Sequence, residues 1–170
     1  MKNLWTETYR PKQLSEYVYQ SDDQKQQFQE WIDKKYIPHL LFTGSPGTGK
    51  TTAAKMLVNE LDIHEWDFLE LNGSRSTGID DVRDKVIPFV STMPFGSFKV
   101  VLYDEADYLS QNSQAGLRNV LETYAENCRF ILTCNYGHKI IPAIHSRCQT
   151  LHINQIDATE FTARIATILL

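Results

Sequence analysis

The sequence predicts an α/β protein, a three-layer sandwich in which helices cover both faces of a parallel sheet of about five strands. Three observations carry that expectation. Short apolar segments alternate with helical patterns of ten or more residues, the order that produces βαβ crossovers. The apolar segments are continuous rather than alternating, as strands buried on both faces are. The chain has 170 residues, 42% hydrophobic and 22% charged, which suits one ordinary domain with a real core. Functional loops are then expected at the carboxyl ends of the strands.

After an irregular lead, Ser21 and Gln24 form a capping-box pair. The helix they open carries Phe28, Trp31 and Ile32 and ends before Pro38. His39–Thr43 reads as a strand, followed by Gly44–Thr51 and a helix through Ala54, Leu57, Val58 and Leu61. Phe68–Leu71 is the second strand, and Thr77 is expected to cap a helix with Ile79, Val82, Val86 and Ile87. Lys99–Tyr103 is a third, continuous apolar strand that runs into Asp104 and Glu105. A helix with Leu117, Val120, Leu121 and Tyr124 follows, then strand Phe130–Thr133, a short helix near Lys139–Ile144 and strand Thr150–Ile153. Asp157 and Glu160 begin another amphipathic helix, with Phe161, Ile165 and Ile168, that stops at Leu170 without a Gly or Pro. An apolar helix with nothing after it to pack on predicts a truncated second domain over 156–170, behind a first domain over 1–155.

Composition narrows the function classes. No apolar run reaches the roughly 18 residues of a membrane span, and the N-terminus has no signal-peptide stretch. A soluble, cytoplasmic protein is expected, or a nuclear one in a eukaryote. Three cysteines, none in CxxC spacing, make neither a disulfide framework nor a zinc site. The five histidines are scattered without metal-ligand spacing. A formal net charge of -4 argues against an autonomous, high-affinity DNA binder, which carries a dominant basic face.

Two motifs carry chemistry. Gly44-Ser45-Pro46-Gly47-Thr48-Gly49-Lys50-Thr51 fits G-x-x-x-x-G-K-[ST] between a strand and a helix, the context the motif requires. Its glycines let backbone N–H groups turn inward on phosphate oxygens, and the helix adds its positive N-terminal end. Lys50 can reach the outer phosphates and the Thr51 hydroxyl can ligate Mg²⁺. The second motif is Val100–Asp107, an apolar strand that delivers adjacent carboxylates to the sheet edge. Asp104 is expected to hold Mg²⁺, usually through a water, and Glu105 to activate the water that attacks the γ-phosphate.

In register along nearly its whole length, the chain resembles the AAA+ ATPases, and more narrowly the small ATPase subunits of sliding-clamp loaders of the replication factor C type and of T4-like phages. Trp5–Pro11 (WTETYRP) is similar to that family's W-x-E-K-Y-R-P box, and Leu69–Ser74 (LELNGS) to its LELNAS segment. Gly78–Asp80 with Val82-Arg83, the DEAD string Asp104–Asp107, and the run from Cys134-Asn135-Tyr136 to Ser146-Arg147-Cys148 follow in order.

The resemblance implies a P-loop (AAA+) fold, ATP and Mg²⁺ as ligands, and 1–155 as the ATPase core with 156–170 starting a helical lid. It implies Lys50, Glu105, Asn135 and Arg147 as catalytic residues. Asn135 matches a polar sensor near the γ-phosphate, and Arg147 an arginine finger that reaches the ATP of the neighbouring subunit. Tyr9, Arg10, Pro11 and Val18 match the adenine-side segment, and Thr52 joins Gly44–Thr51 in the nucleotide site. Tyr19 stands where the family commonly has glycine. Ile79 and Arg83 match residues that follow the duplex backbone, and Gln114 and Arg118 a helix that couples neighbouring sites. In that helix Gly116 replaces alanine, a change of about 1 kcal/mol in propensity, and Asn119 replaces a second arginine.

The partners implied are other loader subunits in a ring or spiral, the sliding clamp and primer–template DNA. The isolated segment is expected to bind Mg-ATP and hydrolyse it weakly. Other AAA+ machines, a DEAD-box helicase and a nucleotide-binding scaffold without turnover are the competing readings. The YRP box and Ser-Arg-Cys disfavour the first. Thr133-Cys134-Asn135 in place of Ser-Ala-Thr disfavours the second, and intact Lys50, Glu105 and Arg147 the third.

Overall fold

The computed structural model describes residue 11 and residues 16–75 and 78–155. The described chain runs α1 (Asp22–Asp33), β1 (Leu40–Thr43), α2 (Lys50–Glu60), β2 (Phe68–Asn72), α3 (Ile79–Asp81), a π-helical turn (Val82–Val86), α4 (Ile87–Val90), β3 (Lys99–Asp104), α5 (Gln111–Thr123), β4 (Cys128–Cys134), α6 (Pro142–His145) and β5 (Gln149–His152). The five strands form one sheet in the order β2-β3-β4-β1-β5, every neighbouring pair parallel. The expected fold class and strand count hold. The proposed helix over 156–170, and with it the second domain, lies outside the described residues.

Continuous strand hydrophobicity has the expected physical origin. Leu40, Phe42, Val100, Leu102 and Ile131 point into a core with α1 and α2, built on Phe28, Trp31, Ala54 and Leu57. The intervening Leu41, Val101, Tyr103, Phe130 and Leu132 point the other way, into a core with the Ile79–Val90 stretch and α5. Because successive side chains in a strand face opposite ways, both sets must be apolar, and the sequence loses its alternation.

Local signals set the helix ends. Ser21 Oγ accepts from Gln24 N at 3.2 Å, as the capping box requires, while the Gln24 carboxamide reaches back to Gln20 N at 3.0 Å rather than to the cap residue itself. Ser110 caps α5 through Ser113 N at 3.1 Å. The third helix differs from its expectation. Thr77 lies outside the described residues, and Gly78 occupies the N-cap without a side-chain bond. Beyond Asp81 the helix widens, so that Ile87 N bonds Val82 O. The next residue, Pro88, has no N–H to donate and crowds the preceding turn, which is where a widened turn relieves the ladder.

Two buried polar residues and the half-buried His39 tie elements together. Asp67, fully buried, accepts from Phe95 N at 3.0 Å and Gly96 N at 2.7 Å. Lys99, also buried, donates to Phe89 O at 2.9 Å and to Thr92 Oγ1. Together they hold the connection from α4 to β3, and each charge is compensated as burial demands. His39 links α5 to the sheet, with Nε2 donating to Leu121 O at 3.1 Å and Nδ1 accepting from Phe130 N at 3.1 Å.

Burial, with the Arg129 charge adding to it and the bond to the Leu121 carbonyl opposing, lowers the His39 pKa from 6.5 to about 4. The unfolded chain therefore takes up a proton near pH 6.5 that the folded protein resists until about pH 4. The stability this residue supplies is complete above pH 6.5 and is lost as the pH falls towards 4, by up to about 3 kcal/mol. Thermal unfolding across pH 7.5 to 4.5 is expected to show a steep acid-side fall that is shallower in His39→Gln. Parallel slopes for the two proteins would remove this account.

Candidate nucleotide-binding site

Strand order brings the two chemical motifs together. β1 lies beside β4, pairing Thr43 with Cys134, and β3 lies on the other side of β4, pairing Tyr103 with Leu132. The phosphate loop, the Asn135 segment and the Asp104-Glu105 pair therefore leave the sheet at one edge, side by side. This is the crevice at a topological switch point, between β1 and β4, where parallel sheets place ligands.

The loop is shaped for an anion. Gly49 is the N-cap of α2 at φ 91° and makes no side-chain cap bond, so the first N–H groups of the eleven-residue helix face the loop. Gly44 abuts the end of β5, and a Cβ there would lie 1.9 Å from Ile153 O. Thr48 Oγ1 donates to Ser45 O at 3.0 Å and holds the loop's curl. Lys50 is buried, with Nζ donating to Gly44 O at 2.8 Å and Ser45 O at 2.7 Å. Burial lowers its pKa, and Cys134, Asp104, Asp107 and Glu105 oppose the shift.

Asp104 collects two hydroxyls on one oxygen. Thr51 donates to Oδ1 at 2.7 Å, and Thr133, from the adjacent strand β4, donates to the same atom at 2.5 Å. Thr133 Oγ1 in turn accepts from Glu105 N at 3.0 Å. Glu105 is a non-glycine residue at φ 55°, ψ 44°, a left-handed conformation that carries strain and concentrates at functional sites. One hydroxyl thus orients the carboxylate expected to face the metal and the backbone of the residue expected to activate water. A threonine hydroxyl and a carboxylate within hydrogen-bond reach are hard oxygen donors of the kind Mg²⁺ takes when phosphates and waters complete its shell.

The segment after β4 is braced from two directions. Asp107, nearly buried, accepts from Tyr136 N at 3.3 Å through Oδ2, and its Oδ1 has no hydrogen-bond partner. Gln114 is buried on α5, donating to Leu109 O at 3.1 Å and Lys139 O at 3.0 Å and accepting from Ile141 N at 2.8 Å. This one amide joins the end of the acidic motif to the segment that leads from Asn135 into α6. Asn135 itself is partly exposed at the strand end.

The other expected residues fall in several places. Tyr9 and Arg10 lie outside the described residues. Pro11 and Val18 are partly buried. Tyr19 turns its ring into the aromatic cluster, 5.9 Å from Phe28 and 5.0 Å from Tyr17, so its bulk is absorbed by the core. Thr52 is partly buried on the first turn of α2. Arg83 is exposed, 3.9 Å from Asp80. Ile79 packs beside Gly116, where an added Cβ would lie 3.6 Å from Ile79 Cδ1. Arg118 bonds only its neighbour Asn119, at 2.8 and 3.2 Å, among the described residues. Arg147 is held by Glu122 and Ala143, away from Lys50, Thr51 and Asp104.

Sequence reasoning missed Thr133, Asp107 and Glu122 as parts of this arrangement, and Tyr17, whose ring edge lies 4.0 Å from a Cβ built on Gly49. A threonine in an otherwise apolar strand end was the available signal for Thr133. Burial pushes the thiols of Cys128, Cys134 and Cys148 up to about 12, which disfavours the nucleophilic thiolate. No helix among the described residues is long and apolar enough to cross a membrane.

Comparison with known proteins agrees with this geometry. Residues 40–155 match the family described as ATPase family associated with various cellular activities (AAA). The replication factor C small subunit of Methanococcus vannielii is 43% identical over 99% of this chain and 54% of its own length. That of Archaeoglobus fulgidus is 43% identical over 97% of this chain and 53% of its own. The chain thus spans about half the length of these curated relatives. Among solved structures, the Thermotoga maritima RuvB Holliday junction branch migration motor superposes with a TM-score of 0.73 at 19% identity, over 95% of this chain and 55% of that one. A DNA polymerase III gamma subunit-related protein from Thermotoga maritima gives 0.65 at 19% identity, over 81% of this chain and 47% of that one. At such identity these two likenesses concern the fold.

Proposed function

The chain belongs to the AAA family of ATPases, and on that premise we propose that it is the ATPase part of a sliding-clamp loader subunit, using Mg-ATP to open and load a clamp at primer–template DNA. The observation that carries the ATPase reading is the hydrogen-bonded run Thr51–Asp104–Thr133–Glu105 beside Lys50. The kinship with replication factor C small subunits supports the clamp-loading part.

Lys50 leaves the loop carbonyls for the β- and γ-phosphates, whose charge outcompetes neutral acceptors. Thr51 and Asp104 would hold Mg²⁺, which would neutralise phosphate charge when bound. The Glu105 carboxylate orients the attacking water and takes its proton, and Asn135 holds that water by a side-chain hydrogen bond. Arg147 acts on the ATP of a neighbouring protomer, where its planar charge meets the transferring phosphoryl group. Pro11 and Val18, with Tyr9 and Arg10, lie against adenine. Ile79 and Arg83 follow the DNA backbone, and Gln114, bonded to Leu109, Lys139 and Ile141, helps couple neighbouring ATP sites. Arg118 acts across the subunit boundary.

The test is ATP turnover by the assembled complete gene product with clamp, with primer–template DNA, and with both. Turnover is expected to rise most when both are present and to fall back with either alone. Equal turnover in all conditions would overturn the clamp-loading part and leave the ATPase reading standing.

A further inference from the structure

Arg147 is fully engaged within its own protomer. Nε donates to Glu122 Oε1 at 2.6 Å and Nη2 donates to the same oxygen. Nη1 donates to Ala143 O at 2.6 Å and to Ser146 Oγ at 3.2 Å. All three guanidinium nitrogens are therefore used, on partners from α5 and from α6 and its C-cap. Glu122 is the penultimate residue of α5, the helix on which Gln114 reads the acidic motif, and Arg147 follows α6, to which Gln114 is also tied.

We propose that Glu122 is a latch that parks Arg147 on its own protomer, so that release of this ion pair is part of completing the neighbouring ATP site. The inference rests on the reading of Arg147 as a finger acting in trans. A carboxylate and a γ-phosphate compete for the same planar set of donors, and the arginine cannot satisfy both. The pair is partly open to solvent, with side-chain exposures of 31% for Arg147 and 52% for Glu122. At that exposure an ion pair is weak enough to be exchanged and strong enough to bias the side chain. A protomer without a loaded neighbour keeps its arginine docked; a neighbour presenting ATP draws it across. Glu122 is thus a positioning residue, acting through Arg147 and touching no substrate.

The experiment compares steady-state ATP turnover of the assembled complete gene product as wild type, Glu122→Ala, Arg147→Ala and the double variant. Removing the latch is expected to raise kcat by about two- to fivefold with KM for ATP unchanged, and Glu122→Gln, which keeps the side-chain volume, is expected to give a gain in the same direction. With Arg147 replaced, Glu122→Ala is expected to have no further effect, which a double-mutant cycle reads directly. Unchanged or lowered kcat in both Glu122 variants, or a gain that persists without Arg147, would overturn the latch. If Arg147→Ala alone left assembled turnover intact, the finger reading itself would fail, a result separable from the behaviour of Glu122.

Discussion

Replacing Glu105 with glutamine is expected to lower ATP turnover at least about 100-fold, the lower end of what a positioned general base supplies, while nucleotide still binds. The two shapes are nearly the same, so the hydrogen bond from residue 105 N to Thr133 Oγ1 and the left-handed backbone remain. Only proton acceptance is lost. Lys50, Thr51 and Asp104 are untouched, so the phosphate and metal contacts are kept. Phosphate release measured beside a fluorescent-nucleotide titration separates the two effects. Turnover within about threefold of wild type, against the magnitude expected of a general base, would move water activation to another residue.

The second large effect is expected at Arg147. Its replacement by alanine should reduce turnover of the assembled protein by about 1,000-fold or more, the range over which an arginine finger acts. The diagnostic is complementation. In a spiral of identical protomers the two subunits meet head to tail through a heterologous interface. Mixing Glu105→Gln with Arg147→Ala protomers then recreates sites in which an intact Glu105 faces an intact Arg147. Random mixing should restore turnover to about a quarter of wild type, because each half of a heterologous site is drawn independently. If the mixture stays as inactive as its two parents, Arg147 serves its own protomer's site.

These two residues also show how differently parts of the site were legible in the sequence. The phosphate loop was readable as a string because its function is local. The glycines, Lys50 and Thr51 act through backbone N–H groups and side chains within eight consecutive positions, and the flanking strand and helix follow from periodicity. Asp104 and Glu105 were readable because an apolar strand must end where its acids begin. The left-handed backbone of Glu105 was not, since nothing in Tyr-Asp-Glu-Ala announces it. It arises where β3 ends in a tight turn beside Thr133.

The helix over Ile79–Val90 is an intermediate case. Its apolar spacing located it, but the form taken, a widened turn over Val82–Val86 ahead of Pro88, depends on how Val82, Val86 and Val90 all reach one core. Likewise Tyr19 looked too bulky for a position commonly held by glycine. The packing of Phe28 and Tyr17 accommodates it, a fact about the shape of the interior rather than about residue 19.

What the sequence determined by itself was the set of elements, the two-faced burial of the strands, the phosphate loop and the acidic strand end. All of these depend on neighbours within one helix, one strand or one turn, where covalent spacing sets the geometry. What only the tertiary structure decided were the partnerships: Thr133 with Asp104, 29 residues apart, Gln114 with Lys139, 25 apart, and Arg147 with Glu122, also 25 apart. Strand order and the packing of α5 bring these groups to contact distance. A side chain's hydrogen-bond partner is whichever group that packing delivers, and no local pattern encodes its number.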